Sequence, residues 1–247
     1  MNGILYIFLL AFLGSIAGLL GGMFVLVKEE LAKKYSIYLI SFAAGVILTV
    51  TFLDLLPVAV EKGGDSVFIL ILIGLVGFFL TEDFLIHYHH HETHEHSLKS
   101  AVPLIIISDA LHNFIDGVII CVSFVASPAL GFVVALSTFF HEIPQEIGDF
   151  SVLLSTGMSK IKIFIINILS ASTTFIGVIG TLLLMEKSVS FIGPLLGVAS
   201  GMFLYIASAD ILPELVKESR VKGKLGVAGS FLFGILVMFL LIRFMPE

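Results

Sequence analysis

The chain has 247 residues, 58% hydrophobic and only 13% charged, with a mean hydropathy of +1.12; soluble domains carry about 25% charged residues, so a water-soluble globule is excluded. The net charge of -6 argues against a nucleic-acid partner, and the single cysteine, Cys121, excludes both an internal disulfide framework and a thiolate metal cage. A membrane crossing takes about 20 mostly apolar residues, and the sequence accordingly reads as an all-α integral membrane protein of eight transmembrane helices joined by short loops.

The first apolar run, 4–26, carries no positive charge ahead of it, since the first lysine is Lys28; it reads as a retained crossing and not as a cleaved secretory signal. Span 2 is expected at 37–60, with Asp54 three residues before Pro57. Span 3, at 66–86, leads into HYHHHETHEH. That loop holds His87, His89, His90, His91, His94 and His96, six of the eight histidines. Such tracts bind metal weakly and flexibly, so the loop is either a receiver or sensor of ions or a polar linker.

Spans 4 (101–126) and 5 (129–155) concentrate polar groups that cost about 2.5 to 3.5 kcal/mol each for charged types at the centre of a membrane helix. Span 4 reads SDALHNFIDG over 108–117, which puts Asp109, His112 and Asp116 on one stripe with Asn113 beside it. Span 5 reads HEIPQEIGDF over 141–150, and His141, Glu142, Gln145, Glu146 and Asp149 share one arc of the helical wheel. Two such stripes facing each other would make a ligand cage. Imidazole with carboxylate and amide oxygen suits Zn2+, Fe2+, Co2+, Mn2+ or Cd2+. Pro144 removes one backbone hydrogen bond inside span 5 and is expected to bend it, freeing a carbonyl toward ion or water.

Spans 6, 7 and 8 are expected at 163–185, 191–213 and 225–243, with Asp210 three residues before Pro213. A shift of 156 residues aligns 43–57 with 199–213 in six of fifteen positions, including Asp54 with Asp210 and Pro57 with Pro213. Spans 2 and 7 run in opposite directions, so this is the pattern of an inverted repeat, spans 1 to 3 against 6 to 8, with spans 4 and 5 central. Ten of the thirteen Lys and Arg residues fall in the loops after spans 1, 3, 5 and 7. Those loops are therefore read as cytoplasmic and both termini as outside. Asp54 then lies near the outer end of span 2 and Asp210 near the inner end of span 7, either as paired way-stations or as simple helix ends.

HNFIDG followed by HEIPQEIGDF resembles the ZIP family of divalent metal transporters, the Zrt- and Irt-like proteins. The resemblance extends to FAAGVILTVTFLDLLP (42–57) and ASGMFLYIASADILPEL (199–215) and covers essentially the chain. It implies an eight-helix fold of 3+2+3 inverted-repeat architecture, homodimers, and movement of zinc or a similar ion toward the cytoplasm. It also implies two adjacent metal sites, His112, Asp116, His141 and Gln145 in the first and Asn113, Glu142 and a bridging Gln145 in the second. Gln145 stands where this branch usually has His, and Asp54 stands where it often has His. A neutral amide bridges two cations poorly, so a weakened second site or an altered ion preference is expected.

Glu146 joins the metal set or carries protons, and Asp54, Asp109, Asp149 and Asp210 are pathway residues. Asn113 and Asp109, taken singly, suit helix packing as well as coordination. The metal is cargo and no prosthetic group is expected. Nucleotide-binding and nucleophile-elbow patterns are absent, which disfavours ATP-driven pumping. Two other classes compete less well: a sensor that binds without flux, and an intramembrane zinc enzyme, since HEIPQ is one residue from His-Glu-x-x-His. The compact chain fits a prokaryotic cytoplasmic membrane, with the lipid bilayer and divalent ions as partners.

Overall fold

The computed structural model describes residues 2–90, 102–185, 189–213, 215–217 and 224–244, and among them the backbone is helical nearly throughout, with no strand. Helix α1 (Asn2–Gly14) ends at Ser15, where the chain tightens into a 3-10 turn, Ile16–Leu19, before α2 (Leu20–Val50) begins. Inside α2, Lys28 leaves helical geometry at φ -141° and ψ 58°. It is the first charged residue of the chain. The Lys160 ammonium donates to the Leu26 carbonyl at 2.6 Å, giving that oxygen a partner beside the break.

A π-helical turn, Thr51–Leu55, joins α2 to α3 (Leu56–Gly63). Pro57 sits in the first turn of α3, where its missing N–H costs nothing. Gly64, at φ 66°, ends it in a conformation that only glycine adopts freely. Then follow α4 (Val67–His90), α5 (Val102–Ala126) and α6 (Pro128–Ser155). Helix α6 continues through Pro144. Helices α7 (Lys160–Ala171) and α8 (Thr173–Met185) are separated by Ser172 alone. A 3-10 turn, Val189–Phe191, leads into α9 (Ile192–Tyr205), which passes into a second π-helical turn, Ile206–Ile211; α10 spans Lys224–Phe244.

Five helical stretches among the described residues are long and apolar enough to cross a membrane: 3–63, 105–126, 160–185, 192–209 and 224–244. The first is 61 residues long, far more than one crossing requires. Helix α6 is long enough, at 28 residues, but carries His141, Glu142, Gln145, Glu146 and Asp149 along its C-terminal half.

The distribution of side chains is inverted relative to a soluble protein. Phe68, Ile69 and Leu72 on α4, Ile176 and Leu183 on α8, and Leu232, Phe233 and Leu236 on α10 are exposed, whereas Asp109, Asp116, Glu142 and Glu146 are buried. An apolar exterior around a polar interior suits a lipid solvent.

Helices α5 and α6 pack against each other at the centre; α1 and α2 cover α6, and α7 and α8 cover α5. Farther out, α2 pairs with α10 and α4 with α9. Both outer pairs depend on reciprocal glycines. A Cβ on Gly45 would strike the Phe231 carbonyl and one on Gly234 the Phe42 carbonyl; Gly201 and Gly74 stand likewise against Ile71 and Val198. Small residues of this kind let helix backbones approach closely.

Candidate metal centre

On α5, Asp109, His112, Asn113 and Asp116 are spaced by three, one and three residues, so the helix presents them on one side. On α6, His141 and Glu142 meet them. His112 Nε2 lies 3.2 Å from His141 Nε2. Asp116 Oδ2 lies 3.3 Å from His141 Nε2 and 3.7 Å from His112 Nε2, and Glu142 Oε1 is 3.6 and 3.9 Å from the two imidazoles. Two ligand atoms each about 2.05 Å from a tetrahedral ion are about 3.3 Å apart. The shorter of these separations therefore match one shared ion, and the longer ones close by a few tenths of an ångström.

His141 Nδ1 is 3.1 Å from the Ser137 carbonyl. That oxygen can only accept, so it holds the proton on Nδ1 and leaves the Nε2 lone pair facing the group. Edge contacts from Phe78 on α4 to His112 and from Phe203 on α9 to His141 wall the imidazoles with hydrocarbon.

A second group combines Asp109, Glu142 and Glu146, each with a ligand atom within 4.8 Å of the others. Glu142 belongs to both groups. Among the described residues, both carboxylate oxygens of Asp116, Glu142 and Glu146 and one of Asp109 have no hydrogen-bond partner.

Two amides, Asn113 and Gln145, make hydrogen bonds to Asp109. Asn113 Nδ2 donates to Asp109 Oδ1 at 2.9 Å. Its Oδ1 accepts from Ser15 Oγ at 2.9 Å and from Thr174 Oγ1 at 3.2 Å. Ser15 Oγ also lies 2.7 Å from the Ala171 carbonyl, so its single proton is shared. Gln145 Nε2 points to Asp109 Oδ1 at 3.4 Å.

Asp54 lies in the first π-helical turn and Asp149 one turn beyond Glu146, both outside the two groups. Asp210 lies on the second π-helical turn. His87, His89 and His90 fall at the end of α4, and His91, His94 and His96 lie outside the described residues. Ser15, Ser137, Phe78, Phe203 and Thr174 escaped the sequence reading. An apolar chain with 23 phenylalanines offers no local signal for them.

The family model described as ZIP Zinc transporter matches residues 3–103 and 89–242. The chain is 40% identical over 116 residues to zinc transporter ZIP4 of Homo sapiens, covering 46% of this chain and 18% of that protein. It is 34% identical over 151 residues to zinc transporter ZIP10 of Danio rerio, covering 60% and 18%. With metal cation symporter ZIP14 of Danio rerio it shares 42% over 130 residues, covering 52% and 26%. The matched stretches are thus about a quarter or less of those relatives' lengths, and all three are animal proteins, which lends no support to the expectation of a prokaryotic membrane. With the family match running over nearly its whole length and an apolar exterior enclosing a His and carboxylate cluster, the chain belongs to the ZIP zinc transporter family of membrane proteins.

Proposed function

We propose that this protein carries a divalent transition-metal ion, zinc foremost and Fe2+, Cd2+, Mn2+ or Co2+ as alternatives, across the membrane toward the cytoplasm through a site made by His112, Asp116, His141 and Glu142. One observation carries this reading: two imidazoles and two carboxylates on the central helices converge with separations suited to a single ion. The donor set has no thiolate, which favours borderline ions over Cu(I). Gln145 stands where a zinc-protease motif needs its second His and turns to Asp109, which favours carriage over hydrolysis.

In this reading the helices make eight crossings in a single transmembrane domain. The Lys28 break separates crossings 1 and 2, α7 with α8 forms crossing 6, and α9 forms crossing 7. The 3+2+3 inverted repeat draws support from the two π-helical turns, which carry Asp54 and Asp210 at positions 156 residues apart. It is also supported by the paired glycine contacts, since Gly45 and Gly201 are partners under the same shift. The Lys-rich odd loops set both termini outside. Asp54 then receives ions at the outer end, and Asp149 and Asp210 lie on the inward side. The tract from His87 to His96 takes up ions on the cytoplasmic face, and a homodimer is the assembly that the family resemblance implies.

The test is metal uptake into liposomes holding the purified chain, comparing Zn2+, Cd2+, Fe2+, Mn2+ and Co2+. Saturable uptake by the wild type and its loss in His112→Ala, with insertion and helicity unchanged, is the expected result. Full uptake by the variant would remove this site from the pathway, and tight binding without flux in the wild type would identify a sensor.

A further inference from the structure

The polar stripes of α5 and α6 do not stop at the metal group. Ser123 stands seven residues beyond Asp116 on α5, and Ser137 and Thr138 stand four residues before His141 and Glu142 on α6. With about 3.6 residues per turn, these offsets keep each hydroxyl within about 40° of its ligand on the helical wheel. All three lie between the metal group and the end of the helix pair where Ser127 joins α5 to α6. All three are wholly buried, and their neighbours in the chain, Val122, Val133 and Val134 among them, belong to the main apolar core.

A hydroxyl in an apolar helix commonly bonds back to the carbonyl four residues earlier. Thr49, Thr51, Ser151, Thr181 and Ser200 do so at 2.7 to 2.9 Å. Ser123 Oγ, Ser137 Oγ and Thr138 Oγ1 have no hydrogen-bond partner among the described residues. A buried polar atom without a protein partner is a place where water or an ion belongs.

The two sides of the metal group also differ in chemistry. A shift of 29 residues carries His112 onto His141. The same shift carries Phe114 onto Ile143, and their carbonyls are the atoms that a Cβ on Gly177 and on Gly21 would strike, two glycines 156 residues apart. These matched contacts pair α5 with α6 within the proposed repeat. Under the shift Thr138 takes the place of Asp109, and Gly117 and Ile120 take the places of Glu146 and Asp149. Carboxylates thus mark one side of the metal group and neutral residues the other.

We infer that Ser123, Ser137 and Thr138 line the ion's route between the metal centre and the α5–α6 junction, offering neutral hydroxyl oxygens to a divalent cation that is exchanging its water for the ligands of the centre. This rests on the transport reading, and in the proposed orientation it is the entry side. A hydroxyl replaces a water oxygen without adding charge, so the ion is guided there but not held. The end of α1 covers this side: a Cβ on Gly14 would lie 3.2 Å from Thr138 Cγ2. On the other side of the group Gln145 and Asp149 are partly exposed.

The test joins thiol labelling to uptake, both on the full-length chain. Ser123→Cys, Ser137→Cys and Thr138→Cys, in nanodiscs that leave both faces open, are treated with a small cationic methanethiosulfonate. Cys121 is the internal control, since it packs on α5 against Ile7, Ala11 and Val178. Ser200→Cys, whose serine bonds back to Leu196, is a second control. The three new thiols are expected to react and both controls to stay silent. Ser137→Ala and Thr138→Val are expected to lower the maximal rate of Zn2+ uptake into liposomes by about 2- to 10-fold, the worth of one lost hydroxyl contact. Equilibrium Zn2+ affinity and melting temperature, which a merely structural hydroxyl would shift, should stay unchanged, and Thr138→Ser should keep the wild-type rate.

Silence of all three thiols in inserted, helical variants overturns the route. Wild-type uptake rates in both Ser137→Ala and Thr138→Val overturn the role of the hydroxyls. Reactive thiols beside a wild type that takes up no Zn2+ would leave a water-filled route standing and remove the transport reading instead.

Discussion

The Ser137 carbonyl takes the Nδ1 proton of His141 and so turns its Nε2 toward His112, Asp116 and Glu142. Every ligand atom of this group must shed a proton, or stay free of one, before it can hold an ion. Protons and metal therefore compete: zinc affinity should fall as pH falls, with protons released on binding. Isothermal titration calorimetry in two buffers of different ionisation enthalpy counts those protons. His112→Ala, with one proton-accepting ligand fewer, should show a shallower dependence. An affinity that stays flat with pH in the wild type would show that none of these groups is protonated before the ion arrives. The residues of this cluster were legible in the sequence because charged residues are costly in an apolar helix and recurred at helical spacing. The contact from Gln145 to Asp109 was not legible. Glu142 and Gln145 both project toward α5, and only the rotation of α6 against it sends the carboxylate to the imidazoles and the amide to Asp109.

The helices owe their positions to places where regular helix stops. The apolar runs announced helix, and Lys28, the first charged residue, coincides with a true break. The turn at Ile16–Leu19 and the junction at Ser172 were hidden, because an uninterrupted apolar run looks the same whether its backbone is continuous or broken. Yet these two points meet at the site, through Ser15 to Asn113 and to the Ala171 carbonyl. Just past the first break, Gly18 lets the chain rest on the metal helix: a Cβ there would lie 2.6 Å from the Cβ of Glu142. Neither atom can swing away, since each is fixed to a backbone. Gly18→Ala should therefore push the start of α2 off α6 at a cost of about 1 to 3 kcal/mol, the usual range for overpacking. If half of that strain is felt by Glu142, zinc affinity drops by about 2- to 13-fold. Gly3→Ala, where nothing lies within 4 Å, is the control and should leave both quantities unchanged. Thermal melting in detergent and zinc titration of the two variants decide the matter; wild-type behaviour of Gly18→Ala would mean that this contact does not hold Glu142 in place.

Direction is a property of the whole molecule, and it follows from charge outside the helices. The apolar runs and the lysine-rich loops made the membrane class and an orientation readable, because both depend on composition. The pairing of α2 with α10 and α4 with α9 was not readable, because glycine contacts join residues far apart in the chain. The orientation can be tested with the protein's own chemistry: its one cysteine, Cys121, is fully buried against Ile7, Ala11 and Val178, so the wild type should be silent to a membrane-impermeant maleimide. Asp65 is exposed in the turn before α4, and Ser159 is exposed just before α7. With the odd loops in the cytoplasm, Asp65→Cys should label on intact cells and Ser159→Cys only after permeabilisation. That result puts Asp54 on the outer side and the histidine tract on the inner side, so that an ion moving down the path meets a single carboxylate first, then imidazoles, then carboxylates again. The opposite labelling would reverse the order of the stations: the group of Asp109, Glu142 and Glu146 would be met first, and the proposed inward direction would fall while the candidate metal centre itself remained.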